Sequence, residues 1–276
     1  MGVGMITNPQ GPVTQVRTLP ATAGWTWLRE ALTLYWRQPF AFTALVILYT
    51  MVLMLLANVP VIGLPLAAVL VPFGTLGLTL AGRVAERGAM PLPAVLIDAL
   101  RPGPQRVALF RLGALHAGMV LLLVIVASLF AMDELRNWKV TDGQLDPVSV
   151  SQNVPWDALM VTAALYTPVL MLTWFSPHLV GWHRQPVVKA MFFSFVACWR
   201  NRWPFLLLGA MLVGLSFGVG FLATELLRAL GLSPQLTSML FAPVALVMTS
   251  ISYATQYPIY RAVIEPLPDS PPPAAD

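Results

Sequence analysis

The chain has 276 residues, 57% of them hydrophobic and only 10% charged, with a mean hydropathy of +0.73. A soluble domain usually carries about 25% charged residues, so an ordinary soluble enzyme, a disordered chain and a nucleic-acid-binding domain are excluded. The pI near 9.6 reflects only four net positive charges, which on an apolar body read as a topology signal. The single cysteine, Cys198, cannot form an internal disulfide.

In chain order, residues 1–20 contain Asn8-Pro9-Gln10-Gly11-Pro12 and no apolar core of signal-peptide length. Ile6 stands where a myristoylation motif needs Ser or Thr, and the segment is expected to be disordered. A first amphipathic helix follows, with Trp25, Leu28, Leu32, Tyr35 and Trp36 at helical spacing and Arg29, Glu30 and Arg37 on other faces. Residues 38–82 then hold no charged residue and no histidine. As one helix they would reach roughly 68 Å, over twice the ~30 Å hydrocarbon core. The segment must fold back, and Ala57-Asn58-Val59-Pro60 marks the turn. Span 1 is therefore expected at 40–58 and span 2 at 61–82.

A weaker interfacial helix at 93–100 closes on Pro102-Gly103-Pro104. Span 3, at 107–132, contains Arg111 and His116. The acidic stretch 133–157 carries Asp133, Glu134, Asp142, Asp146 and Asp157 against Arg136 and Lys139, without ligand spacing, and reads as a solvated loop rather than a metal site. Span 4, at 158–180, contains Pro168 and Pro177. A third interfacial helix at 187–199 shows a stripe of Val187, Met191, Phe195 and Cys198. Span 5 covers 203–227, Gly231-Leu232-Ser233-Pro234 turns the chain, and span 6 covers 236–260. The Pro-rich tail 265–276 is expected to be disordered. The whole is thus an all-α integral membrane domain over 21–264, three hairpins each led in by a short interfacial helix.

Thirteen of the sixteen basic residues fall on one side of these six spans. The positive-inside rule makes that side, and both termini, cytoplasmic. The joints Trp36-Arg37-Gln38-Pro39-Phe40 and Trp199-Arg200-Asn201-Arg202-Trp203-Pro204-Phe205 look alike, and every even-numbered span contains proline and leads into Arg83, Arg184 or Arg261. These features suggest three parallel copies of interfacial helix, span, span.

The entry Trp36-Arg37-Gln38-Pro39 resembles a family of six-span bacterial inner-membrane proteins of uncharacterised activity. So do Trp174-Phe175-Ser176-Pro177-His178-Leu179-Val180 and the continuation through Lys189-Ala190, Ser194 and Ala197-Cys198-Trp199-Arg200-Asn201. The resemblance spans roughly 20–262 and implies a cytoplasmic-membrane location without supplying catalytic or binding residues. More loosely, the chain is similar to the membrane domain fused to some glycerophosphodiester phosphodiesterases. No soluble catalytic domain accompanies it, so that activity is not implied.

Ionisable groups inside a membrane are the first functional candidates. Arg111 sits where its stem reaches back to the interface. His116 lies deeper, on a different face, and is read as a core histidine bonded to another span or as a ligand-handling group. Glu225 and Arg228, one turn apart at the end of span 5, are expected to pair. His178 and His183 lack metal-ligand spacing, and Cys198 reads as a small hydrophobe. Ala210, Gly214 and Gly218 recur every four residues, beside Gly209 and Gly220, and are expected to let another helix pack closely. No HExxH, GxSxG, P-loop or Rossmann pattern occurs, so no catalytic, cofactor or metal residues are expected.

Two functions are expected in order, a leading one and an alternative, with an intramembrane enzyme as a third and weaker class. One is a non-enzymatic membrane component that organises lipid or partner proteins from its basic, aromatic face. The other is a small-solute transporter or channel with a cavity between the hairpins. The expected partners are the bilayer and a second copy or another membrane protein, with no nucleic acid. A polar cavity near His116 favours transport; a dry, closed bundle favours the organising role.

Overall fold

The computed structural model describes residues 16–98, 100, 103–141, 143–231 and 234–264, without side chains for Pro104 and residues 234–241. The chain runs through α1 (Ala23–Arg37), α2 (Pro39–Ala57), α3 (Gly63–Glu86), α4 (Ala94–Asp98) and α5 (Pro104–Arg136). A two-stranded hairpin of β1 (Val140–Thr141) and β2 (Gln144–Leu145) follows, then α6 (Pro147–Gln152). The remainder is α7 (Trp156–Thr173), α8 (Ser176–Gly181), α9 (Val187–Arg200), α10 (Arg202–Ala229), α11 (Pro234–Ala254) and α12 (Gln256–Val263). Among the described residues, five stretches are long and apolar enough to cross a membrane: 39–57, 63–86, 105–136, 156–181 and 202–229.

α3 lies at the centre, packed against α2, α4, α5, α8, α11 and α12. Its approach to α5 is close because Gly113 has no Cβ: one built there would overlap the Val69 carbonyl oxygen. α10 is peripheral, touching α1, α9 and α11, with only 6% of its apolar window buried.

Two expected spans break where proline removes a backbone donor. Pro177 cannot donate to Thr173, and α7 ends at Thr173; Pro258 cannot donate to Ala254, and α11 ends at Ala254. The chain resumes as α8 and α12, so the segment expected as one span to residue 260 is two helices. Ser194 of α9 stitches the first break. Its hydroxyl donates to the Met171 carbonyl at 2.7 Å and accepts from the Phe175 N–H at 2.9 Å.

The interfacial helices are rotated from expectation. α1 buries Trp27, Leu28, Ala31, Leu34 and Tyr35, leaving Trp25 and Trp36 exposed. α9 buries its small residues Ala190, Ser194, Ala197 and Cys198, which let its backbone approach α7 and α8, while Val187, Met191 and Phe195 lie at the flanks. α4 is a single short turn of helix.

The disorder expected before residue 21 does not hold for residues 16–20. Asn201 accepts from the Leu19 N–H and donates to the Arg17 carbonyl, and the Arg17 N–H bonds Val263. Residues 1–15 and the expected disordered tail 265–276 lie outside the described residues. The acidic connection is folded: Gly143 at φ +75° turns the hairpin, and the Asp146 carboxylate caps α6 through the N–H groups of Val148 and Ser149.

Candidate functional site

His116 is buried on α5, and its Nδ1 lies 2.9 Å from the Ala68 carbonyl of α3. That carbonyl is four residues before Pro72, whose ring nitrogen has no hydrogen to offer it. A carbonyl only accepts, so Nδ1 must carry the proton, and in the neutral ring Nε2 is left as an acceptor. His116 therefore repairs a backbone group orphaned by proline and still presents a lone pair.

The same imidazole lines a cavity of about 270 Å³. Tyr49 of α2, Thr75 of α3, Tyr166 of α7, Ser252 and Tyr253 of α11 and Gln256 of α12 supply further hydrogen-bonding groups. Among the described residues, no Asp, Glu, Lys or Arg lines it. The rings of Tyr49 and Tyr253 meet edge to face at 5.8 Å. Gly74 makes room for Tyr49, because a Cβ there would overlap the phenol ring.

A polar plug closes one end. Thr79 Oγ1 lies 2.8 Å from His178 Nε2 and 3.2 Å from Gln256 Oε1, joining α3, α8 and α12. Tyr260 stacks on His178 at 4.9 Å, and its hydroxyl meets His183 Nε2 at 2.9 Å. Burial holds the His183 imidazole below the usual histidine range. Beyond this layer, the Arg261 guanidinium bridges Glu86 and Glu30, the latter at 2.7 Å, while the Tyr257 hydroxyl donates to Glu86 at 2.6 Å.

The other anticipated residues lie elsewhere. Arg111 is exposed on the outward side of α5 and takes no part in the cavity. Glu225 and Arg228 pair at 3.0 Å, both well exposed. The expected packing on Ala210, Gly214 and Gly218 within the chain is not found: among the described residues, a Cβ at Gly209, Gly214 or Gly218 would meet nothing within 4 Å. Cys198 is buried, and its thiol is pushed up to about 12, which makes it a poor nucleophile. Among the described residues, no three His, Cys, Asp or Glu side chains are placed to hold a metal. Thr79, Gln256, Glu30, Glu86 and Arg261 were not anticipated, since nothing in their local sequence brings them together.

No family model matches the chain, and no solved structure matches it. It is 36% identical over 259 residues to a probable inner membrane protein of Burkholderia thailandensis, covering 90% of this chain and 93% of that one. The chain belongs to this inner-membrane family. The looser likeness to glycerophosphodiester phosphodiesterases has no support from these comparisons. As a multi-pass inner-membrane protein, the chain places its apolar helices in the bilayer. Tyr49, Thr75, His116 and Tyr166, all within the apolar stretches, then form a polar site where hydrogen bonds are costly to leave unmade.

Proposed function

We propose that this inner-membrane protein crosses the bilayer six times, as three hairpins each preceded by an interfacial helix, with both termini in the cytoplasm. α11, at 21 residues, supplies the sixth crossing. The His116 cavity is a non-enzymatic binding site for a small uncharged ligand, which the protein carries through or within the membrane. The observation that supports this reading is the cavity itself, rich in donors and acceptors, free of charged side chains among the described residues and lined by helices of all three hairpins. The plug of Thr79, His178 and Gln256 closes it toward the basic side.

The organising role keeps one observation in its favour. Trp25, Trp36, Trp199 and Trp203 are exposed beside Arg29, Arg37, Arg200 and Arg202, a composition suited to headgroups.

Cysteine chemistry tests the cavity, because maleimides need a thiolate and therefore water. In the reconstituted protein, Thr75→Cys should react with N-ethylmaleimide while the native Cys198 stays unreactive. If Thr75→Cys is as inert as Cys198, the bundle is dry and the organising role replaces the carrier.

A further inference from the structure

We propose that the ligand of the His116 cavity is an uncharged, hydroxyl-headed lipid that enters sideways from the bilayer. This rests on reading that cavity as a ligand site. Beside it, α10 and α11 enclose a groove of about 1,050 Å³ with Phe217, Phe221, Val244 and Met248 along its walls. Ser252 and Tyr253 line both hollows, so the groove and the cavity meet at these two residues.

The proportions fit an amphiphile. At about 270 Å³ the cavity is smaller than the clefts of roughly 300–1,000 Å³ that enclose drug-sized molecules, and it suits a compact head. The groove has the volume and the apolar walls for an acyl chain. α10 is scarcely covered by the rest of the chain, so the groove lies open to lipid.

The chemistry of the head follows from the lining. Three phenols and the Gln256 amide can donate, while the His116 Nε2 and the Thr75 oxygen, whose proton goes to the Val71 carbonyl, accept, which together suit a diol or sugar. A phosphate would bring a charge into a site that offers, among the described residues, no cationic side chain to pair it. The ion pair of Glu225 and Arg228, at the groove's other end, is internally neutralised and adds no net attraction for an anion. A lipid so placed has its head toward the plug and its chain running along α10, the orientation of the inner leaflet under the proposed topology.

The test uses the full chain in vesicles of phosphatidylethanolamine and phosphatidylglycerol, with a trace of monoacylglycerol carrying a diazirine in its acyl chain. After irradiation, adducts on segments 217–221 and 248–253 should exceed those on Leu122 and Ile125, exposed residues of α5 that report ordinary bilayer contact. Unlabelled monoacylglycerol should compete with the groove adducts, and added phosphatidylglycerol should not. Thr75→Trp, which fills the head cavity, should reduce groove labelling to the α5 level. Thr75→Val, which keeps the volume and removes the hydroxyl, should weaken the competition.

Groove labelling no stronger than that of α5, or competed equally by phosphatidylglycerol, overturns the inference. The maleimide result at Thr75→Cys then separates the two failures. A reactive thiol leaves a cavity for a free solute, and an inert one removes the ligand site as well.

Discussion

His116 and Pro72 act as one unit although they lie on different helices. Proline orphans the Ala68 carbonyl, and the imidazole satisfies it. His116→Ala should cost about 1–3 kcal/mol, the penalty for a buried acceptor left unmade, read as a lower melting temperature in detergent. In a Pro72→Ala background the helix supplies its own N–H, so the same substitution should cost less than half as much. Equal costs in both backgrounds would show that His116 does not act through that carbonyl. His183 gives a pH signature. Its folded value lies below the unfolded ~6.5, so its contribution is complete above that pH and is lost as pH falls through 6.5. Melting temperature should decline from pH 7 to pH 5, and His183→Gln, which can keep a bond to Tyr260, should make the decline shallower.

The helices themselves were largely legible, because uncharged runs bounded by arginine set where apolar helices must lie. Their breaks were not: Pro72, Pro168, Pro177 and Pro258 look equivalent in sequence, yet only Pro177 and Pro258 separate helices. At two of these prolines a side chain from another helix bonds nearby backbone. His116 does so for an intact α3, whereas Ser194 bonds Met171 and Phe175 across an open break. The residues that carry the family resemblance prove to be such nodes, with Ser194 at the break, Asn201 on the N-terminal segment, and Trp174 5.3 Å from Phe205. Glycine was misread for the same reason, since spacing shows which residues share a face but not what meets it. Gly113→Leu should therefore lower stability by at least ~1–3 kcal/mol through collision with α3. Gly218→Leu, facing open space, should leave melting nearly unchanged. A destabilised Gly218→Leu in detergent would point to a partner helix on α10.

For the molecule as a whole, the distribution of charge anticipated a basic face, and the structure adds a polar column running from that face toward His116. Glu30, Glu86 and Arg261 come from α1, α3 and α12, so only the folded chain assembles them. The cavity was half legible: His116 stood out as an ionisable group in an apolar run, but its tyrosine neighbours resemble ordinary core aromatics. The proposed orientation is open to direct labelling. Cysteine at Gly143 should react with a membrane-impermeant thiol reagent in intact spheroplasts, and cysteine at Gly88 only after permeabilisation; the reverse pattern would invert the topology.

The central claim, a hydrated ligand site inside the bundle, is tested most directly by an experimental density map of the protein in lipid nanodiscs. The account predicts ordered density, from water or ligand, in the space bounded by Thr75, His116, Tyr166 and the touching rings of Tyr49 and Tyr253. Closure of that space, with His116 packed directly on the tyrosine rings and no density between them, would contradict it.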